Sequence, residues 1–130
     1  MVCKAKTYLK DYQAPTHSIT EIFLDFDLGK ESVRVESILK IEPSSSDNKL
    51  LELQGEELCL KEVCLNGLKV SPSKYKLSKE GLSLSVPSKP FVLKIVTEVF
   101  PKKNTRLEGL YQSGKILCSQ MEAEGFRRMT

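Results

Sequence analysis

Tryptophan is absent from this chain, and histidine occurs once, at His17. A hydrolytic zinc centre typically takes two or three histidine ligands, so one histidine leaves such a centre incomplete. A serine or cysteine nucleophile needs a positioned base. His17, with no plausible nucleophile beside it, reads as a surface residue in a loop-like entry to the first strand. Neither G-x-x-x-x-G-K-[ST] nor G-x-G-x-x-G occurs, so no phosphate-cradling loop is indicated. No apolar run approaches the ~20 residues of a spanning helix. The longest, Phe91 to Phe100, is broken by Lys94, Thr97 and Glu98. Met1 to Pro15 lacks the apolar stretch of a secretory signal and carries Asp11 among its lysines. The expectation is a soluble, cytoplasmic protein with no membrane partner.

Charge of one sign is also missing. Lys and Arg number 20 against 17 acidic residues, a net charge of +3. Only Lys102–Lys103 and Arg127–Arg128 are locally dense, which is not the clustered basic footprint of a nucleic-acid binder. The four cysteines, Cys3, Cys59, Cys64 and Cys118, form no C-x-x-C pair. On a regular strand the odd separation of Cys59 and Cys64 puts them on opposite faces, so shared metal binding would need a bulge or turn between them. Free thiols in a reducing compartment, with no metal held, is the expectation.

What the chain does have is a period of two. At 130 residues and 40% hydrophobic content it is long enough for one core, a single domain over 1–130. Ile22, Leu24, Phe26 and Leu28 alternate with Asp25 and Asp27. After a turn at Gly29–Glu31, Val33 and Val35 alternate with Arg34 and Glu36; Ile38 to Ile41 shifts phase, which suggests a bulge. Short strands follow at Leu50–Leu53, Leu58–Leu65, Leu68–Val70, Tyr75–Leu77, from Leu82, and Phe91–Phe100. Pro43 to Asn48 reads as a loop, and Asn66-Gly67 as a tight hairpin turn. Eight or nine short strands spaced by turns predict an all-β antiparallel domain, a β-sandwich or a twisted saddle-like pair of sheets.

The last stretch, "EGLYQSGKILCSQMEAEGFRRMT", is the most crowded chemically. Gly109 and Gly114 predict a sharp bend over Leu107–Ser113. If Lys115 to Glu124 runs extended, Gln120, Glu122 and Glu124 share one face, with Met121 and Ala123 behind. Two readings stay open on composition. The row is an ordinary solvent-facing strand, with Arg127 or Arg128 pairing to Glu122 or Glu124, or it is a set of acceptors for an ammonium group.

"NTRLEGLYQSGKILCSQMEAEGFRRMT" resembles a segment of the bacterial aminopeptidase N (alanyl aminopeptidase) family, zinc-dependent enzymes of the gluzincin type. "LKDYQAP", "ITEIFLDFDL", "LELQGEELCLKEVCLNG" and "PFVLKIVTEVFPKKNTRLEGLYQSG" are similar to that family in the same order, so the likeness runs from Tyr8 to Thr130. It implies an N-terminal saddle-like β domain, truncated at its C-terminal end, of a much longer metalloprotease that removes N-terminal residues from peptides. The zinc ligands (H-E-x-x-H plus a distant Glu) and the G-A-M-E-N segment would lie on a catalytic domain absent from this chain, which would be inactive alone. By motif position the resemblance implies that Glu122 holds the free α-ammonium of the peptide substrate and Gln120 lines the pocket for its first side chain. Met121 stands where the family often has a small residue or Cys, and should face away. A role for Glu124 beyond pairing with Arg127 or Arg128 is not implied. The competing expectation from another class is a stand-alone β-sandwich binding module for protein or carbohydrate, which the lack of tryptophan disfavours.

Overall fold

The computed structural model describes residues 6–122 and 124–130. Cys3, expected as a free thiol, and Ala123, expected behind the Gln120 row, lie outside the described residues. Ten strands follow in order: β1 (His17–Leu28), β2 (Val33–Pro43), β3 (Leu50–Gln54), β4 (Cys59–Leu65), β5 (Leu68–Lys69), β6 (Tyr75–Leu77), β7 (Gly81–Ser85), β8 (Phe91–Val99), β9 (Gly109–Ser113) and β10 (Ile116–Gln120). Helical structure among the described residues is confined to single 3-10 turns at Leu9–Asp11, Pro72–Lys74, Pro101–Lys103 and Gly125–Arg128. None is long enough to cross a membrane.

A five-stranded antiparallel sheet, in the order β1-β2-β8-β4-β5, forms the platform. Two smaller pieces sit against it. The three-stranded sheet β3-β7-β6 covers one part, closing a core of Leu39, Ile41, Leu51, Val63, Leu84, Phe91, Leu93 and their neighbours. The β9–β10 hairpin and the chain after it cover another, closing a second core of Val33, Val35, Val99, Leu110 and Met129, on which Phe26, Leu58 and Met121 pack. Val35 and Leu93 are fully buried, and each such side chain contributes about 1.5–3 kcal/mol of burial. The all-β antiparallel expectation therefore holds.

Alternation explains most of this, and its failures have local causes. β2 keeps strict phase: Val33, Val35, Ser37, Leu39 and Ile41 all point inward and pair with β8 without interruption. The shift expected at Ile38–Ile41 is absent because Ser37 takes a buried place usually left to an apolar residue. The irregularity lies across the ladder instead, in β1 between Ile19 and Glu21. A second one falls between Leu60 and Glu62 in β4. It sets Cys59 opposite Glu98 and Cys64 opposite Lys94, so the two cysteines share a face, contrary to the regular-strand expectation. Cys59 is exposed and Cys64 buried, and both are free.

Asn66 and Gly67, at φ 49° and 81°, make the expected hairpin turn. The Asn66 side chain also accepts a hydrogen bond from the Val92 N–H at 2.9 Å, tying the turn to β8. His17 is not a surface residue. It is buried, with Nδ1 2.9 Å from the Thr16 hydroxyl and its ring edge-on to Phe91. Its Nε2 is buried without a hydrogen-bond partner among the described residues.

Candidate functional site: the turn after β10

The terminal motif folds back on itself. Leu107 and Gly109 (φ 59° and 71°) make the bend that precedes β9, and Gly114 (φ 60°) turns β9 into β10. Gly109–Ser113 is a strand rather than part of the bend, which accounts for the tenth strand. β10 ends at Gln120, opposite Gly109. The extended run expected to reach Glu124 stops there. The Gly125 N–H donates to the Met121 carbonyl at 3.0 Å, closing a turn, and Glu124 takes the left-handed conformation at φ 74°.

Gly125 permits this turn because of space. A Cβ on it would lie 2.2 Å from the Gln120 carbonyl oxygen. Met121 then drops onto the second core, while Gln120 and Glu122 stay exposed. The expected opposition of Met121 to the polar pair is met, but by a strand end and a turn, not by one continuous strand. Glu124 leaves the row and pairs with Arg127, whose Nη1 donates to its carboxylate at 3.2 Å and to its carbonyl at 2.5 Å. The pairing with Arg127 or Arg128 expected of Glu124 is thus the one found.

Both arginines are occupied by acids from far away in sequence. Arg127 Nε donates to Glu56 Oε2 at 3.0 Å, and Arg128 Nη1 to Glu56 Oε1 at 2.8 Å. Arg128 Nη2 donates to Glu57 Oε2 at 2.5 Å. The Arg128 side chain is only 2% exposed. Burial pushes the Glu56 carboxyl up, but the Arg127 hydrogen bond and the charges of Arg128, Arg127 and Arg106 outweigh it and hold it below the ordinary carboxylate value. Glu122, by contrast, makes no ion pair among the described residues. It is a solvent-reachable carboxylate on a fastened turn, and the two arginines that follow it in sequence are already paired with other acids.

The sequence reading missed Glu56 and Glu57. They sit in a stretch, Gln54–Glu57, that reads only as a turn, and nothing local marks them as partners of residues 71 or 72 positions away. The described residues contain no group of three or more His, Cys, Asp or Glu able to hold a metal. The sole histidine is buried, with Nδ1 engaged by Thr16. These residues do not fit a zinc site.

No protein-family model matches the chain. Aminopeptidase N of Haemophilus influenzae is 39% identical over 133 residues, which covers 100% of this chain and 15% of that protein. Aminopeptidase N of Escherichia coli is 41% identical over 124 residues, 95% of this chain and 14% of that protein. Among solved structures, Legionella pneumophila aminopeptidase A in complex with aspartic acid superposes with a TM-score of 0.84 at 28% identity, over 94% of this chain and 15% of that one. An M1 zinc metallopeptidase of Deinococcus radiodurans shares the fold with a TM-score of 0.66 at 12% identity, over 88% of this chain and 29% of that one. The chain spans about one seventh of the length of the curated relatives it matches. It is homologous over its whole length to the bacterial aminopeptidases N and corresponds to an N-terminal fragment of such a protein.

Proposed function

We propose that this chain is the substrate-anchoring N-terminal domain of a zinc aminopeptidase and is inactive by itself. Glu122 receives the α-ammonium of the peptide, and Gln120 lines the pocket for the first side chain. The zinc and its ligands belong to a catalytic domain of the same polypeptide. The observation that carries this reading is the state of Glu122: exposed on a closed turn and free of ion pairs among the described residues, with its neighbouring arginines held by other acids.

The chemistry suits an exopeptidase. A carboxylate aimed at the amino end of a peptide makes charge-assisted hydrogen bonds with an ammonium group. An internal amide nitrogen cannot compensate the desolvation of that carboxylate, so internal peptide bonds are rejected. Holding the ammonium also fixes the register, and only the first peptide bond reaches the metal. Gln120, a neutral donor and acceptor, suits a pocket that takes varied first residues.

The platform offers a face on which a catalytic domain could pack. Strand β1 is an edge strand of the platform. Along it, Ile22 and Leu28 are exposed on one face and Phe23 on the other, so the edge strand leaves apolar side chains uncovered.

The test is kinetic. In the full-length polypeptide carrying this segment, Glu122→Ala should lower kcat/KM on an aminoacyl anilide by an amount equivalent to roughly 2–5 kcal/mol, the range for losing one partner of a charge pair that is buried once the complex forms. An unchanged kcat/KM would remove the assignment. Zinc-dependent turnover by residues 1–130 alone would contradict the division of labour between the domains.

A further inference from the structure

We propose that Glu56 and Arg128 are positioning residues: together they fasten the turn that presents Glu122 and keep the neighbouring arginines engaged away from it. This rests on the reading of Glu122 as the ammonium anchor. Neither residue would touch substrate. Their effect passes through the backbone that separates them from Gln120 and Glu122.

Gly109 is where the parts converge. It pairs with Gln120 across the β9–β10 ladder. A Cβ on Gly109 would lie 2.7 Å from Arg128 Cβ and 3.0 Å from the Arg128 carbonyl carbon. A Cβ on Gly125 would lie 3.3 Å from the Gly109 nitrogen. The end of β10, the start of the 3-10 turn and the Arg128 backbone therefore meet around Gly109, too close for any side chain to stand between them. A shift of Arg128 toward Gly109 would press on the ladder partner of Gln120.

What prevents that shift is the buried guanidinium. Its Nη1 and Nη2 reach Glu56 and Glu57, and Nη2 lies 3.5 Å from Asn104 Oδ1. Asn104 in turn donates from Nδ2 to the carbonyls of Glu108 (2.7 Å) and Leu110 (2.9 Å), on either side of Gly109. Glu56 adds a second fastening, because its own N–H donates to the Arg127 carbonyl at 2.9 Å. One acidic residue thus grips residues 127 and 128 by backbone and by side chain. It also occupies the positive charge nearest in sequence to Glu122, which would otherwise compete with a substrate ammonium for that carboxylate.

The experiment compares Glu56→Gln, Glu57→Gln and Glu122→Gln in the full-length aminopeptidase, with steady-state kinetics on an aminoacyl anilide at equal concentrations of folded enzyme. The expected result is a KM raised about tenfold in Glu56→Gln with kcat within about threefold of wild type, the signature of a misplaced binding group. Glu57→Gln, which loses a more exposed carboxylate holding a single bond, should raise KM by a smaller factor. A merely structural role would lower the folded fraction and leave KM unchanged, and that outcome overturns the proposal. If Glu122→Gln raises KM and Glu56→Gln does not, positioning falls and anchoring stands. If Glu122→Gln is also unchanged, the anchoring reading falls with it. Should Glu56→Gln fail to fold, an unchanged KM in folded Glu57→Gln overturns the proposal.

Discussion

Glu56 and Arg128 are joined at 2.8 Å across 72 residues of chain, and the arginine side chain is almost wholly withdrawn from water. A buried cation of this kind depends on its partners, since losing one leaves charge uncompensated. Glu56→Gln should therefore lower the unfolding free energy by about 1.5–3 kcal/mol, the range for hydrogen bonds to charged groups. Urea denaturation measures this as a drop in midpoint. The Lys40–Glu21 pair is an internal control: it is equally short at 2.8 Å, but both side chains are exposed. Glu21→Gln should shift stability by no more than about 1 kcal/mol.

Acid should loosen the fold. Burial pushes the Glu56 carboxyl up, yet its arginine partners more than offset this, and the net direction is below the ordinary 4.5. Hydrogen bonds from Lys94 and Cys64 lower Glu62, and those from Lys61 and Ser32 lower Glu98. A carboxyl depressed in the folded state stabilises it fully above the unfolded value and loses that contribution as pH falls through the folded one. Stability should therefore fall once pH drops below about 4.5, and the Glu56→Gln protein should show a shallower fall. Urea midpoints at pH 6 and pH 3.5 for both proteins check this; equal slopes would remove Glu56 as a contributor.

Local pattern carried the strands and not the site. Alternation is cleanest in β2, β3 and β7, each buried on one face, so the period of two survives into the fold there. Asn66-Gly67 was legible because its two positive φ values demand those residues. The terminal motif was not legible in the same way. Its shape depends on Gly125 fitting against the Gln120 carbonyl and on Arg128 finding Glu56, and both are tertiary relationships. Alternation alone extends β10 through Glu124; the structure ends it at Gln120. His17 was misplaced for a related reason. A lone polar residue at a strand start carries no signal that Phe91 will cover it.

Thr97 marks a place where a substitution should stabilise. It is buried on β8, opposite Val35 and Leu60, and its hydroxyl has no hydrogen-bond partner among the described residues. An unsatisfied buried hydroxyl carries a desolvation penalty with nothing to offset it. Thr97→Val keeps the branched shape and removes that penalty, so it should raise the unfolding free energy by about 1 kcal/mol. A lower melting temperature in this variant would show that the hydroxyl has a partner in solution.

Gly125 gives the sharpest steric prediction, because the ordinary rule reverses there. In a helical turn, Gly→Ala generally stabilises by about 0.4–1 kcal/mol by restricting the unfolded chain. At Gly125 the added methyl would stand 2.2 Å from the Gln120 carbonyl oxygen and 3.3 Å from the Gly109 nitrogen, both backbone atoms that cannot rotate away. Either β10 separates from β9 at Gln120, or the turn reopens at the hydrogen bond between Gly125 and Met121. Gly125→Ala should therefore destabilise the domain by about 1–3 kcal/mol, the scale of overpacking. Both routes move the segment bearing Gln120 and Glu122, so the same variant of the full-length enzyme should show a raised KM. Thermal denaturation and steady-state kinetics on one preparation read the two effects together. A protein as stable as wild type would mean that the turn has slack that its backbone spacing does not show.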